Sequence, residues 1–159
     1  IGAGGVAEIQ RVRGRMEQEL ARKTAQRFNI KTGRGGIVDV EFLVQMLQLR
    51  YGQRFAALRQ RNTLAALDAL TACGVVSAAE SQVLTQGYQF LRRLENRLRI
   101  ERDQPVEALE SDLEQLTALA RRMGDDGAAP GPRLLAEYQS QREAIRACYS
   151  RLFVREQGD

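Results

Sequence analysis

Histidine and tryptophan are both missing from the 159 residues. Without histidine the chain lacks the commonest general acid–base group, the usual metal ligand and every triad built on an imidazole. Cysteine occurs twice, at Cys73 and Cys148, with no metal-type spacing. In a chain with no secretory pattern these two read as reduced, buried, small apolar residues. Only three prolines occur, and aromatic residues make up 6% of the chain. No apolar run is long enough to span a bilayer, so no membrane association is expected and the expected compartment is the cytosol.

What is present points to helices. The length suits a single domain able to bury a core without staples. At 43% hydrophobic and 28% charged, the composition is that of a globular protein. Ala, Leu, Arg, Gln and Glu dominate, and all are helix formers. The net charge of +4 comes almost wholly from arginine. It permits contact with phosphates, nucleic acid or an acidic protein face. Arginines interleaved with glutamates on helices, however, more commonly form a solvated surface.

Periodicity predicts an all-α fold, an antiparallel bundle of about six helices. Residues 6–28 carry a narrow stripe of Ile9, Val12, Met16, Leu20 and Phe28. Residues 37–52 are apolar almost all round, which marks a central buried helix. Residues 62–74 form a short helix with Asn62 or Thr63 as cap and Gly74 as stop. "SAAE" (77–80) is a capping box that opens a long helix, and "SDLE" (111–114) is a second. Pro132 suits the first turn of a last helix running to about Arg155. No β-type alternation and no fixed-period repeat occur. The abrupt start "IGAGG" reads as a linker remnant (1–5), so residues 1–159 are expected to be one helical domain excised from a longer protein.

The stretch "NIKTGRGGIVDVEF" (29–42) holds the sharpest candidates. The N-terminal "GAGGVA" has the form of a dinucleotide loop but no strand or βαβ unit around it. "KTGRGG" is no Walker loop either, because Lys31 precedes the glycines instead of following them. Gly35 and Gly36 allow close backbone approach. Amides opening the next helix, left without partners, would suit an anion, with Lys31 and Arg34 adding positive charge. A plain glycine corner between two helices is an equally good reading. Glu41 shares a helix face with Gln45 and Gln48. Asp39 falls with Leu43, Met46 and Arg50, and a carboxylate on an apolar face must be paired or face a partner. Further on, "FLRRLENRLRIER" (90–102) offers Arg92–Glu95 and Glu95–Arg99 pairs on a face either solvated or open to phosphate or protein.

Together these residues resemble a known family. "NIKTGRGGIVDVEFLVQMLQLRYG" is similar to the signature of the bacterial glutamine synthetase adenylyltransferases (glutamate-ammonia-ligase adenylyltransferases). "RQRNTLAALDALTACGVV" and "YQFLRRLENRLR" match that family's following segments. The likeness runs strongly over residues 6–105 and loosely beyond. It implies a helical domain placed after a polymerase-β-type nucleotidyltransferase domain, with "LQLRYG" resembling the C-terminal, adenylylating half. It implies an enzyme that transfers AMP from ATP to a tyrosine of glutamine synthetase, or removes it, under control of glutamine and the nitrogen-regulatory PII protein. Two departures stand out. Val38 occupies a position where family members often carry arginine. The catalytic Asp-x-Asp of the family is missing, since Glu101-Arg102-Asp103 has the spacing without the strand.

The resemblance therefore implies that this chain holds no catalytic or metal-binding residue and no cofactor of its own, with ATP and Mg2+ belonging to the full enzyme. It implies that Lys31, Gly33, Gly35, Gly36, Asp39 and Glu41 face the nucleotide or the cleft, Asp39 orienting the loop or touching the catalytic domain. The implied partners are the adjacent nucleotidyltransferase domain, glutamine synthetase and PII. The competing expectation is a free-standing basic helical module for nucleic acid or a partner protein.

Overall fold

The computed structural model describes residues 1–21, 27–102, 108–110 and 112–158. Six α-helices occur among them: α1 (Ala3–Ala21), α2 (Ile37–Tyr51), α3 (Thr63–Ala72), α4 (Ala78–Arg102), α5 (Leu113–Arg122) and α6 (Pro130–Gly158). A 3-10 turn, Ala56–Leu58, lies between α2 and α3. The fold is all-α, as the helix-forming composition and the periodicity require.

Several helix ends form for the expected reasons. Asn62 caps α3, its Oδ1 accepting the amides of Leu64 and Ala65 at 3.0 Å each. Gly74, at φ +71, turns the chain so that the amides of Val75 and Val76 return to the Leu70 carbonyl. The Ser77–Glu80 box closes reciprocally. The Glu80 amide donates to Ser77 Oγ at 3.2 Å and the Ser77 amide to Glu80 Oε2 at 3.0 Å.

Other boundaries differ. α5 is capped by Asp112, whose Oδ1 accepts the Gln115 amide at 3.0 Å. Ser111, expected to open that box, lies outside the described residues. α6 starts at Pro130, where Ala129, at φ 52, bends the chain into it, so Pro132 lies in the first turn as expected. α1 spans Ala3–Ala21 among the described residues, beginning inside the stretch read as linker and not including Phe28. Residues Arg27–Asn29 form a strand, β1, antiparallel to β2 (Ala108–Glu110), with Phe28 opposite Leu109. Strands of three residues are too short for alternation to register in a sequence. Cys148 is buried as expected, whereas Cys73 is only half-buried, at the C-terminal end of α3.

α6 is the element on which the bundle converges, touching α1, α2, α4 and α5. The core joins Leu43, Met46 and Leu47 of α2, Leu67 and Leu70 of α3, and Leu91 and Leu94 of α4 to Tyr138, Ile145, Leu152 and Phe153 of α6. Each such side chain, fully buried, stabilises by about 1.5–3 kcal/mol relative to exposure. Charges fix how α2 lies on α6. Near the start of α2, Asp39 meets Arg146 at 3.1 Å; near its end, Arg50 meets Glu156 at 2.8 Å. That order makes α2 and α6 run in the same direction. α4 runs the opposite way, with Glu80 3.5 Å from Arg151 and Gly87 against Ile145. The start of α2, and the glycine loop before it, is thereby held against the middle of α6.

Candidate functional site

The glycine loop is shaped first by Asn29. Its side-chain oxygen accepts the amides of Lys31 (3.0 Å) and Thr32 (2.8 Å), while its carbonyl accepts the Gly33 amide (3.1 Å). The chain then folds back on itself. The Gly36 amide donates to the Gly33 carbonyl at 2.9 Å, Ile37 to Ile30 at 3.1 Å, and Val38 to Lys31 at 2.9 Å. The amides that open α2 are therefore occupied by the loop's own carbonyls. The expectation of unpartnered amides ready for an anion does not hold, because the preceding residues supply the acceptors a helix start lacks.

The glycines are demanded by crowding as well as by turning. Gly35 sits at φ +71, and a side chain there would run into the backbone of Arg142. A Cβ at Gly36 would lie 2.7 Å from the carbonyl oxygens of Ile30 and Lys31. A Cβ at Gly33 would meet the Asn29 carbonyl.

Asp39 is fully buried behind this loop. Its Oδ1 accepts from Arg13 Nε at 2.6 Å; its Oδ2 accepts from the Gly35 amide at 2.7 Å and from Arg146 Nη1 at 3.1 Å. Arg13, 1% exposed, extends from α1 and also donates through Nη2 to the carbonyls of Thr32 (2.8 Å) and Gly33 (3.2 Å). Arg146 lies 3.3 Å from Glu17 of α1 and stacks over the Tyr149 ring at 4.9 Å. One carboxylate thus gathers α1, the loop and α6. Burial, reinforced by the Asp39 carboxylate, drives the Tyr149 hydroxyl well above the ordinary phenol range, against the pull of Arg146 and Arg13. The Tyr149 hydroxyl, Arg13 Nη1, Arg146 Nε and Thr32 Oγ1 are buried without a protein partner.

The sequence-derived candidates thus divide. Gly35, Gly36 and Asp39 are interior; Lys31, Gly33 and Glu41 are half-buried; Arg34 is exposed. Glu41 accepts from the Tyr88 hydroxyl at 3.1 Å, across from α4 and away from the Asp39 network. Beside the loop an open groove of about 670 Å³ runs along α6, lined by Arg34, Gln139, Arg142, Glu143, Arg146 and Ser150 among others. Arg142 Nε donates to the Arg34 carbonyl at 2.8 Å, fastening loop to helix.

Sequence reasoning missed Arg13, Arg142 and Arg146. Arg13 had a usable signal: it lies four residues after Ile9 and three before Met16, so it is a cation on the apolar stripe of α1. Among the described residues no group of three or more His, Cys, Asp or Glu could hold a metal ion. The Glu101 side chain and Asp103 lie outside the described residues.

The profile of the GlnD PII-uridylyltransferase family matches residues 7–153. Similar curated proteins carry the name bifunctional glutamine synthetase adenylyltransferase/adenylyl-removing enzyme. That of Stenotrophomonas maltophilia (strain K279a) is 44% identical over 104 residues, covering 65% of this chain and 11% of the relative. That of Bordetella pertussis is 38% identical over 141 residues, covering 85% and 15%. That of Streptomyces avermitilis is 35% identical over 150 residues, covering 94% and 15%. The chain spans only 11–15% of the length of these relatives. The match over residues 7–153 places the chain in the GlnD PII-uridylyltransferase family, and its similar curated relatives are glutamine synthetase adenylyltransferases.

Proposed function

We propose that residues 1–159 are a single helical domain of a cytosolic bifunctional glutamine synthetase adenylyltransferase/adenylyl-removing enzyme. The observation that carries this reading is the identity of 35–38% over 141–150 residues with enzymes of that name. The whole enzyme attaches AMP from ATP to a tyrosine of glutamine synthetase and removes it again, with PII as a regulatory partner. This domain lies next to the nucleotidyltransferase domain and forms one wall of its cleft.

The residues of this chain act there by position. Asp39, Arg13 and Arg146 hold the loop against α6, and Lys31 and Arg34 stand on it as cations suited to a polyphosphate. A phosphoryl or nucleotidyl transfer requires Mg2+ held by carboxylates. Asp39 cannot supply that, since both its oxygens are taken by arginines and an amide. The described residues do not fit a metal, and no metal-dependent step is assigned to this chain.

The test uses the longer protein that contains this chain. Incubated with labelled ATP, it should transfer label to glutamine synthetase; no transfer removes the functional reading. Lys31→Ala in that protein should lower the rate of AMP transfer by about tenfold or more, as loss of one positioned cation does. The melting curve should stay that of the parent. Unchanged kinetics would remove Lys31 from the cleft.

A further inference from the structure

A second groove, of about 570 Å³, opens between α4, α5 and α6, away from the glycine loop. Its floor is apolar: Phe90, Ala120 and Leu134 are buried beneath it and Met123 is half-buried at its side. Its α4 wall is cationic and ends in an exposed aliphatic side chain. Arg93, Arg97 and Ile100 follow at i, i+4 and i+7, so they form one stripe along the helix. Ile100 is 77% exposed, the largest exposure among the large apolar side chains of the described residues.

The charges on this wall have no structural use among the described residues. Arg92 is paired with Glu95 at 2.8 Å, and Arg133 on the opposite wall is held by Asp125 at 3.0 Å. Neither Arg93 nor Arg97 joins an ion pair or hydrogen bond there. Like charges four residues apart weaken a helix by a few tenths of a kcal/mol. A cationic stripe set beside an exposed isoleucine and a greasy floor is the composition of a binding groove with a hydrophobic centre and a charged rim.

We propose that this groove docks an acidic segment of another protein, one that seats a large aliphatic or aromatic side chain between Ile100, Met123 and Leu134 and places Asp or Glu against Arg93 and Arg97. Charge and shape select that occupant. A second copy of the chain would bring its own net charge of +4 and meet arginine with arginine. A nucleic-acid backbone would leave Ile100 and the apolar floor unmatched, and Phe90 is too deeply buried to stack with a base. This inference is independent of the enzymatic reading above.

The test is to pan a random dodecapeptide library on the 159-residue chain, then measure the selected peptides by fluorescence anisotropy. Enriched peptides should combine Asp or Glu with Leu, Ile or Phe. Their affinity should fall by about tenfold or more with R93E/R97E and also with Ile100→Ser, as loss of an interface anchor does. All substituted positions are exposed, and circular dichroism checks that each variant keeps its helix content. The longer protein should bind the same peptides with the same affinity. Peptides lacking acids, binding indifferent to either variant, or a groove blocked in the longer protein would each overturn the proposal. So would dimerisation of the chain that Ile100→Ser abolishes. Oligonucleotide binding lost with R93E/R97E but kept with Ile100→Ser would assign the stripe to phosphates instead.

Discussion

Arg13 beneath the glycine loop and Arg97 on the outer face of α4 are the same residue type on helices of one bundle, used in opposite ways. Arg13 is 1% exposed and donates to Asp39 and to two loop carbonyls; Arg97 is exposed and pairs with nothing among the described residues. Removing a guanidinium from water costs several kcal/mol, so it persists inside only where geometry returns that cost as hydrogen bonds. The loop corner is therefore a built interior, and the α4 face carries cations without a partner among the described residues. Truncation should separate the two most sharply at Asp39. Asp39→Ala leaves Arg13 without its carboxylate, Arg146 with Glu17 alone and the Gly35 amide without an acceptor. Unfolding in urea should show a loss of about 3–5 kcal/mol. Replacing both partners, R13M/D39L, should cost less than the sum of the two single changes. Arg97→Ala should stay within about 0.5 kcal/mol of the parent. Equal losses at the two arginines would dissolve the contrast.

Two glycines sharpen the comparison, since backbone angle is the same and surroundings differ. Gly35 and Gly74 both sit at φ +71. A methyl at Gly74 enters open space, whereas one at Gly35 runs into the Arg142 backbone. Gly74→Ala should then cost only the left-handed conformation, about 1–2 kcal/mol. Gly35→Ala should add overpacking of about 1–3 kcal/mol and loosen the loop from α6. Thermal melts of the two variants side by side measure the difference, and equal melts would mean that the loop yields to the methyl.

Asp39 was legible because a carboxylate on an apolar helix face has to be answered by something. Its partners were not, because Arg13 and Arg146 come from α1 and α6, distant in sequence, and no periodicity reports a contact between helices. The α2–α6 register had the same half-visible character: Asp39 and Arg50 stood on one apolar face in the sequence, but Arg146 and Glu156 gave no sign of being their complement. Helices, caps and core read clearly because local spacing encodes them. The paired strands β1 and β2 did not, since three residues carry too little pattern. The expectation of free amides at the start of α2 failed for a related reason: whether an amide is free depends on where its neighbours' carbonyls turn, and that is decided by the Asn29 side chain and Gly33–Gly36.

The buried and open regions should also part company with pH. Tyr138, under Arg142, is pushed up to about 12, mainly by burial; Tyr149 rises further, by burial and then by the Asp39 carboxylate. A phenol whose folded pKa is raised keeps its proton in the folded chain after the unfolded chain has lost it. The sign follows: up to about pH 10 neither tyrosine makes stability pH-dependent, and above it stability falls until the folded pKa is passed. The slope reaches about 1.4 kcal/mol per pH unit for each group. Urea titrations at pH 9, 10 and 11 should show this decline, and Tyr138→Phe should flatten it. Tyr149→Phe should flatten it too, with little effect at pH 7 because its hydroxyl has no protein partner. A slope untouched by both variants would place the alkaline transition elsewhere.

The smallest effect lies on the open face and has the opposite sign. Arg93→Glu turns a repulsive Arg93–Arg97 spacing into a Glu–Arg pair with the acid N-terminal, the favourable order in a helix. Among the described residues nothing pairs with Arg93, so stability should rise by about 0.2–0.5 kcal/mol in low salt and return to the parent value in high salt as the charges are screened. A pair of thermal melts at the two salt concentrations measures it. Destabilisation instead would mean that Arg93 has a structural partner, and the contrast with Arg13 would shrink to one of exposure alone. A gain in stability means that a better helix was available by a single substitution and that the sequence carries arginine there regardless. Such a residue is not set by the helix alone, which is what the proposed docking of an acidic segment requires of this face.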